Sequence, residues 1–277
     1  MTDEPRFADD YSQRQTEAAH RVLIDLGQIL RGFEDSVVVV GGWVPDLLLP
    51  DSSEEHVQSI DVDLALDPRR LADGRYAELL NLLFESRRYQ LDSDRPFQLF
   101  TTVDLADGHE NVRVDVDLLA PTEFKLKSTK QKLVEGFRIQ QADGCSAAFR
   151  DPRVVTIDGP SANGTRNSVK LRIAALPDFF VMKCYALQKR DKPKDAYDIC
   201  FCLENVGDGG SAIAAVWQTQ PDDTGVRDAR EILAEKFRHV DGFGPRQVAD
   251  FRNTGAEDHA IRQRTAFELV RRFLAFF

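Results

Sequence analysis

A run of four valines, Val37–Val40, ends directly at Gly41-Gly42. Four consecutive β-branched residues favour a short strand that is buried on both faces. The two glycines permit a tight turn, because glycine adopts backbone conformations that other residues rarely reach. Residues 43–49 then have the apolar pattern of a short helix, which Pro50 closes. The sequence therefore predicts a strand, a glycine corner and a helix in immediate succession, as in an α/β sheet.

Two further segments, residues 60–66 and 112–119, alternate between apolar and polar residues. Alternation of this kind is typical of a strand that is buried on one face and open on the other. Each segment places two carboxylates on its open face: Asp61, Asp63, Asp115 and Asp117. Four carboxylates on two strands repel one another unless a cation lies among them. The pattern therefore favours a metal site over a solvated acidic surface.

The periodicity of apolar residues changes at about residue 175. Before that point the patterns predict helices over 12–31 and 75–84 and strands over 37–40, 60–66, 97–103, 112–119, 154–157 and 169–173. After it they predict helices over 178–189 and 194–204, and three or four more from Ser211 onward. We therefore predict an α/β (α+β) domain, a mixed sheet with flanking helices over residues 1–175, and a helical domain over residues 176–277.

The composition is that of a globular protein, with 277 residues, 42% hydrophobic residues and a net charge of −10. No apolar run is long enough to cross a membrane, and the first residues are polar, unlike a secretory signal. The cysteines lack zinc-like spacing and are interpreted as reduced, buried thiols: Cys145, Cys184, Cys200 and Cys202. These features predict a cytoplasmic protein without a membrane partner.

One basic cluster departs from the acidic balance of the chain and follows the second acidic strand directly: Lys125, Lys127, Lys130, Lys132 and Arg138. An acidic chain is a poor general binder of nucleic acid, because the phosphates repel it. A local basic cluster can still form a docking surface for RNA phosphates, or it can simply be a solvated face. The sequence leaves both interpretations open.

The glycine corner and the acidic strands together match the requirements of nucleotidyl transfer. That reaction needs a bound triphosphate, neutralisation of its charge and a hydroxyl aligned with the α-phosphorus, which paired Mg²⁺ ions on carboxylates can provide. Asp61 and Asp63 are the predicted metal ligands, and backbone N–H groups at the corner would face the phosphates. A third carboxylate on the neighbouring strand would complete the metal site and act as base. Asp117 is the first choice for it and Asp115 the second.

Two other phosphate-binding motifs fit the glycine corner poorly. The sequence Gly41-Gly42-Trp43-Val44-Pro45-Asp46 does not contain the G-x-G-x-x-G pattern of dinucleotide-binding folds. No Gly-Lys-Ser/Thr follows the strand, so a Walker-type loop is excluded as well. Nicotinamide or flavin binding is therefore a remote alternative.

The order of these residues resembles a known superfamily. Val40-Gly41-Gly42 followed by Ser59-Ile60-Asp61-Val62-Asp63-Leu64 is similar to the nucleotidyltransferase superfamily of DNA polymerase β. Residues 178–187, with Arg190 and residues 194–199, resemble the AbiEii-type nucleotidyltransferases, the toxins of type IV toxin–antitoxin and abortive-infection systems. The likeness covers about residues 35–204 and does not extend to the later helices.

The resemblance implies a role for each matching residue. Gly41 and Gly42 would hold the phosphates, and Ser59 would lie beside the triphosphate. Lys183 would neutralise phosphate charge, and Asp198 would act near Lys183 or the nucleotide. The resemblance also implies Mg²⁺ as cofactor, an NTP as co-substrate, tRNA or another RNA as acceptor, and a cognate antitoxin as a candidate partner.

The helical pattern alone gives a different interpretation of Lys183 and Asp198. On that pattern Lys183 is an exposed lysine, and Asp195 and Asp198 are carboxylates of a solvated helix face, paired with Arg190 and Lys194 at little gain in stability. The resemblance favours a functional role for Lys183 and Asp198. It does not do so for Asp195, which is still interpreted as a paired carboxylate on a helix face.

The chain departs from the family pattern between Gly42 and Asp61, where residues 50–57 form an apparent insertion. A basic residue often precedes the serine in this family, and His56 is the nearest candidate here. We interpret His56 as a surface loop histidine and not as a catalytic group.

Two alternative functions remain open from the sequence. Gly41-Gly42-Trp43 with Asp46-Leu47 also resembles aminoglycoside nucleotidyltransferases, whose small polycationic acceptors suit an acidic protein. The other alternative is a degenerate domain that binds a nucleotide or a partner without catalysis, although the intact carboxylates argue against it.

Overall fold

The computed structural model describes residues 5–72, 74–123, 133–134 and 137–277, with side chains for 5–72, 74–123 and 139–277. The chain divides into two compact units. The sheet unit comprises Ser12–Val44 and Gln58–Ala175, and the helical unit comprises Met1–Tyr11, Pro45–Val57 and Leu176–Phe277. One boundary between the units follows residue 175, and two earlier segments belong to the helical unit. The lysines of the basic cluster lie outside the described residues, and Arg138 is described for its backbone alone.

The sheet unit contains every strand that the structure describes. They are β1 (Val37–Val40), β2 (Val62–Leu66), β3 (Gln90–Leu91), β4 (Gln98–Val103), β5 (Val112–Pro121), β6 (Leu133–Val134), β7 (Phe137–Arg138), β8 (Gln140–Ala142), β9 (Arg153–Pro160) and β10 (Arg166–Ile173). Eight of them form one sheet in the order β3-β4-β5-β2-β1-β10-β9, with β8 paired to β5. Strands β6 and β7 form a separate pair. The predicted α/β class and the mixed sheet are confirmed.

The register of the central strands sets one row of residues across the sheet. Strand β2 runs parallel to β5 with Asp63 opposite Asp117, and antiparallel to β1 with Val40 opposite Asp63. Strand β4 runs antiparallel to β5 with Gln98 opposite Asp117. Neighbouring strands lie about 4.8 Å apart, and paired residues point to the same face. Gln98, Asp117, Asp63 and Val40 therefore follow one another across four strands.

Helix α1 (Gln13–Ile29) packs on the opposite, apolar face of the sheet. It begins at Ser12, whose side chain accepts a hydrogen bond from the N–H of Gln15. Leu26 of this helix lines the same small cavity as Val39 and Leu64 of the sheet. Burial of such side chains contributes about 1.5–3 kcal/mol each. The apolar face thus anchors the sheet and leaves the row with the carboxylates on the other side.

Two other helices complete the description of the first half of the chain. Helix α3 (Arg75–Glu85) lies within the sheet unit and buries Tyr76, Leu79, Leu80 and Leu83. Helix α2 (Trp43–Leu48) follows the glycine corner, as the sequence predicts, and continues from the sheet unit into the helical unit.

The helical unit contains α4 (Leu176–Lys189), α5 (Pro193–Asn205), α6 (Ser211–Gln218), α7 (Thr224–Lys236), α8 (Phe243–Arg252) and α9 (Ala256–Leu274). Its core includes the rings of Phe180, Trp217 and Phe273, which contact one another. The Trp217 indole N–H donates to the carbonyl of Pro177, 3.0 Å away, at the start of α4. All four cysteines of the chain are buried free thiols, as predicted. Within the described residues, no helix has both the length and the apolar character that crossing a membrane requires.

Candidate active site

The glycine corner lies against the carboxylate of Asp63. Gly41 has a φ of 72°, in the left-handed region that favours glycine. A Cβ atom at this position would lie 1.9 Å from Oδ2 of Asp63. The N–H of Val44 donates to the carbonyl of Gly41 at 3.3 Å and closes the turn. Glycine is therefore required here both for its backbone conformation and for the space that Asp63 occupies.

Asp61 is held at two points just before β2 begins. The hydroxyl of Ser59, which is buried, donates to Oδ1 of Asp61 at 2.5 Å. The indole N–H of Trp43, a fully buried side chain, donates to the backbone carbonyl of Asp61 at 2.8 Å. The first hydrogen bond fixes the carboxylate and the second fixes the main chain. Ser59, predicted to lie beside the triphosphate, thus lies next to a predicted metal ligand.

Asp63 and Asp117 are direct neighbours on adjacent parallel strands. Both are partly exposed, so their carboxylates lie at the surface of the sheet unit. The side-chain amide of Gln98 donates to Oδ1 of Asp117 at 2.9 Å. This neutral donor orients the Asp117 carboxylate without cancelling its charge.

Asp115, the second choice for the third carboxylate, has a different environment. It lies on the same face of β5 but its Oδ1 accepts from Nε of Arg113 at 2.8 Å. Arg113 also forms an ion pair with Asp92 at 2.5 Å, and its guanidinium group lies 4.0 Å from the centre of the Phe100 ring. Asp115 therefore belongs to an ion pair with Arg113, a cation that it shares with Asp92.

The donor set of this face suits a hard divalent cation. Carboxylate oxygens are the ligands that Mg²⁺ prefers, and it is usually bound by one or two carboxylates together with substrate phosphates and water. Among the described residues, no three His, Cys, Asp or Glu side chains come together as a ready metal-binding group. Asp61, Asp63 and Asp117 thus do not form a complete protein cage. Their oxygen atoms are of the type that Mg²⁺ prefers when a nucleotide supplies further ligands.

Lys183 and Asp198 belong to a buried ionic network in the helical unit. The ammonium of Lys183 lies 2.8 Å from Oδ1 of Asp195 and 2.8 Å from Oδ2 of Asp198. Lys194 pairs with Oδ1 of Asp198 at 2.8 Å. Arg190 forms two hydrogen bonds with Asp195, at 2.7 and 2.9 Å. The network joins α4 to α5 and contains three basic residues and two carboxylates.

Burial and charge shift the pKa values of this network in opposite directions. Burial would raise the pKa of Asp195, but Lys183 and Arg190 outweigh it and lower that pKa to about 2. Burial likewise opposes ionisation of Asp198, but Lys183 and Lys194 hold its pKa well below the usual range. Burial lowers the pKa of Lys183, and the two carboxylates more than reverse this and raise it. Both carboxylates are therefore ionised at neutral pH.

The prediction that Lys183, Asp195 and Asp198 lie on solvated helix faces was wrong. Asp195 and Asp198 have no exposed surface, Lys194 is 3% exposed and Lys183 is 7% exposed. The helical pattern predicted that Asp195 and Asp198 pair with Arg190 and Lys194, but it did not predict their burial. A buried ion pair that loses one partner leaves an uncompensated charge, so these contacts matter far more than surface pairs do.

His56 is also buried, and its interpretation as a surface loop histidine was wrong. Its Nε2 lies 2.9 Å from Oδ1 of Asp198, and its ring stacks on Tyr197 with centroids 5.5 Å apart. Burial and the nearby Lys194 lower its pKa to about 4, against the attraction of Asp198. His56 is therefore neutral at neutral pH. Residues 50–57, the apparent insertion, supply this side chain to the helical unit.

The predicted site residues thus fall into two groups, one in each unit. The sheet unit contains Gly41, Gly42, Ser59, Asp61, Asp63 and Asp117, and the helical unit contains Lys183 and Asp198. The phosphate-neutralising role of Lys183 stays a prediction. Sequence reasoning missed Trp43, Gln98 and the environment of His56. Trp43 directly follows the glycine corner, and this position was a usable sequence signal. Gln98 contacts a residue 19 positions away, so no local sequence pattern indicated its role.

Comparison of the chain with protein-family models, with curated proteins and with solved structures finds no match to any of them.

Proposed function

We propose that this chain is a Mg²⁺-dependent nucleotidyltransferase that moves a nucleoside monophosphate from an NTP to a hydroxyl group of an acceptor, with tRNA or another RNA as the acceptor. The observation that carries the proposal is the pairing of Asp63 with Asp117 on adjacent strands, with Gly41 packed against Asp63. The resemblance to AbiEii-type enzymes supports the choice of RNA.

The residues of the sheet unit have separate tasks in this proposal. The acceptor oxygen bonds to the α-phosphorus while the bond from that phosphorus to the bridging oxygen breaks, and pyrophosphate leaves. Asp117 accepts the proton of the attacking hydroxyl. Asp61, fixed by Ser59, would hold Mg²⁺ together with Asp63 and Asp117, and the ion when bound would neutralise phosphate charge and orient the triphosphate. Gly41 and Gly42 give the phosphates access to backbone N–H groups.

The acceptor assay combines α-labelled NTPs, Mg²⁺ and total tRNA with the wild type and three matched variants: Asp63→Asn, Asp117→Asn and Asp115→Asn. We expect label on RNA with the wild type and with Asp115→Asn. We expect roughly 100- to 1000-fold less with the other two, since a metal ligand contributes several kcal/mol to the transition state. Asp115→Asn is the matched control because it removes a carboxylate from the same face of the same strand.

Three outcomes would contradict the proposal in different ways. Label on an aminoglycoside but not on RNA would change the acceptor class and retain the chemistry. NTP binding by calorimetry without transfer to either acceptor would favour the non-catalytic alternative. Full activity of Asp63→Asn would show that the metal ligands are wrong.

The cellular part of the proposal is growth inhibition as an AbiEii-like toxin. Induced expression of the wild type should arrest growth, and Asp63→Asn at equal abundance should not. Relief of the arrest by the product of an adjacent gene would identify the antitoxin. Equal arrest by both proteins would separate the growth effect from the transfer reaction.

A further inference from the structure

A chain of two donors ends on the Asp117 carboxylate. Nη1 of Arg95 donates to Oε1 of Gln98 at 3.2 Å, and Nε2 of Gln98 donates to Oδ1 of Asp117 at 2.9 Å. Gln98 is 5% exposed and lies directly opposite Asp117 in the antiparallel pair of β4 and β5. Both ends of its amide are thus hydrogen-bonded.

Arg95 determines which way the amide of Gln98 points. A guanidinium group can only donate hydrogen bonds, so it requires the amide oxygen on its own side. The amide nitrogen must then face Asp117, which as a carboxylate can only accept. The reverse orientation would place two donors together and two acceptors together.

The backbone at Arg95 is itself fixed. The N–H of Arg95 donates to Oδ1 of Asp92 at 3.0 Å, and its carbonyl accepts from the N–H of Gln98 at 2.9 Å. The turn before β4 therefore holds Arg95 next to Gln98. A buried amide with both ends hydrogen-bonded has one well-defined rotamer, since breaking either bond leaves a buried polar atom without a partner.

We propose that Gln98 is a positioning residue that holds the Asp117 carboxylate in one orientation on the face of the sheet, and that Arg95 acts through it by fixing the amide. The importance of this orientation for turnover rests on the proposed nucleotidyl transfer, whereas the orientation itself does not.

The test uses the full chain with Gln98→Met, Arg95→Met and the double variant. Methionine is unbranched and matches glutamine in length, so at position 98 it preserves packing and removes the hydrogen bonds. Arg95 is exposed, so the shorter methionine at position 95 removes its hydrogen bond without opening a cavity in the core. Gln90→Met is the matched control, because Gln90 is an exposed glutamine on the neighbouring strand β3. Thermal unfolding of each variant shows that it is folded before kinetics are measured.

We expect Gln98→Met to lower kcat for NMP transfer by about 10- to 100-fold, with the KM for the NTP changed far less, because a catalytic group displaced by about 1 Å costs up to about 100-fold. Arg95→Met should have a smaller effect. The double variant should equal Gln98→Met, since Arg95 acts only through Gln98. Additive losses in the double variant, or wild-type kcat in Gln98→Met, would overturn the proposal.

Crystal structures of the wild type and of Gln98→Met give a readout that does not require activity. We expect one Asp117 rotamer in the wild type and more than one in the variant. If the wild type shows no transfer but the rotamer is released, the positioning is right and the proposed function is wrong. If Asp117 keeps a single rotamer in Gln98→Met, the positioning is wrong, whatever the kinetics show.

Discussion

The two groups of carboxylates in this chain are held in opposite ways. In the sheet unit, Asp61 and Asp117 are partly exposed and accept hydrogen bonds from a hydroxyl and an amide. In the helical unit, Asp195 and Asp198 are fully buried and each contacts two basic side chains. Neutral donors orient a carboxylate without adding positive charge beside it. Fixed cations within the protein neutralise it and make it part of the fold.

This difference distinguishes two roles that an aspartate in a sequence motif can have, ligand binding and stabilisation of the fold. In the sheet unit, the side chains of Ser59 and Gln98 orient the carboxylates of Asp61 and Asp117 and are themselves uncharged. The helical residues suit stability first, because removing any one of them leaves a buried charge. Variants of Asp198, His56, Gly41 and Asp63 test this contrast between the two groups of carboxylates.

The largest effect is expected for Asp198→Asn. Its loss leaves the buried ammonium groups of Lys183 and Lys194 without their shared partner, and breaking a buried ion pair costs about 3–5 kcal/mol. Urea denaturation followed by circular dichroism measures the change. Asp191→Asn is the control, since Asp191 forms an exposed pair with Arg6 and should change stability by less than about 0.5 kcal/mol. Similar losses of unfolding free energy in the two variants would contradict the contrast between the two groups of carboxylates.

The second prediction concerns pH and His56. Its pKa is lowered from 6.5 to about 4 by burial and by Lys194. The unfolded chain therefore binds a proton between these pH values that the folded chain excludes. Stability from this group is complete above pH 6.5 and is lost as pH falls to about 4, by about 3 kcal/mol in total.

Urea denaturation at several pH values between 7.5 and 4 measures this loss. The variant His56→Gln retains a polar side chain and cannot titrate, so its stability should fall much less over the same range. Equal pH dependence in the wild type and the variant would show that other groups carry the effect.

The third prediction compares two glycines with positive φ. Gly41→Ala adds a Cβ that collides with Asp63, whereas Gly164→Ala, at a φ of 82°, meets no atom within 4 Å. Both variants incur the cost of a left-handed backbone, about 1 kcal/mol. We expect Gly41→Ala to lose about 1 kcal/mol more than Gly164→Ala. NMP transfer should fall sharply in Gly41→Ala and not in Gly164→Ala. Equal stability and equal transfer in the two variants would show that Gly41 is not part of the site.

The smallest change in stability is expected for Asp63→Asn. Asparagine keeps the shape and an acceptor, and it removes charge repulsion with the neighbouring Asp117. Its free energy of unfolding should stay within about 0.5 kcal/mol of the wild type, while transfer is lost. A destabilisation as large as that of Asp198→Asn would show that Asp63 is a structural residue.

Local sequence patterns were sufficient to predict most of the fold. The valine run, the acidic alternation and the helical periodicity predicted the mixed sheet and the helices that follow it, because side-chain periodicity determines which face of an element is buried. The same alternation placed Asp63 and Asp117 on open faces. It could not establish that they are neighbours, since strand order and register depend on contacts between distant segments.

The tertiary structure decided which side chains are buried and which groups they contact. Lys183, Asp198 and His56 look solvent-exposed in the sequence, but they are buried where three separate segments of the helical unit meet. There Lys183 compensates the charge of Asp198, and the neutral His56 ring forms a hydrogen bond with it. Gln98 becomes significant only when β4 pairs with β5. The sequence by itself determined the elements and the residue types available for chemistry. The packing of distant segments decided which charged groups are buried and which of them meet, because electrostatic energy depends on distance and solvent exposure and not on separation along the chain.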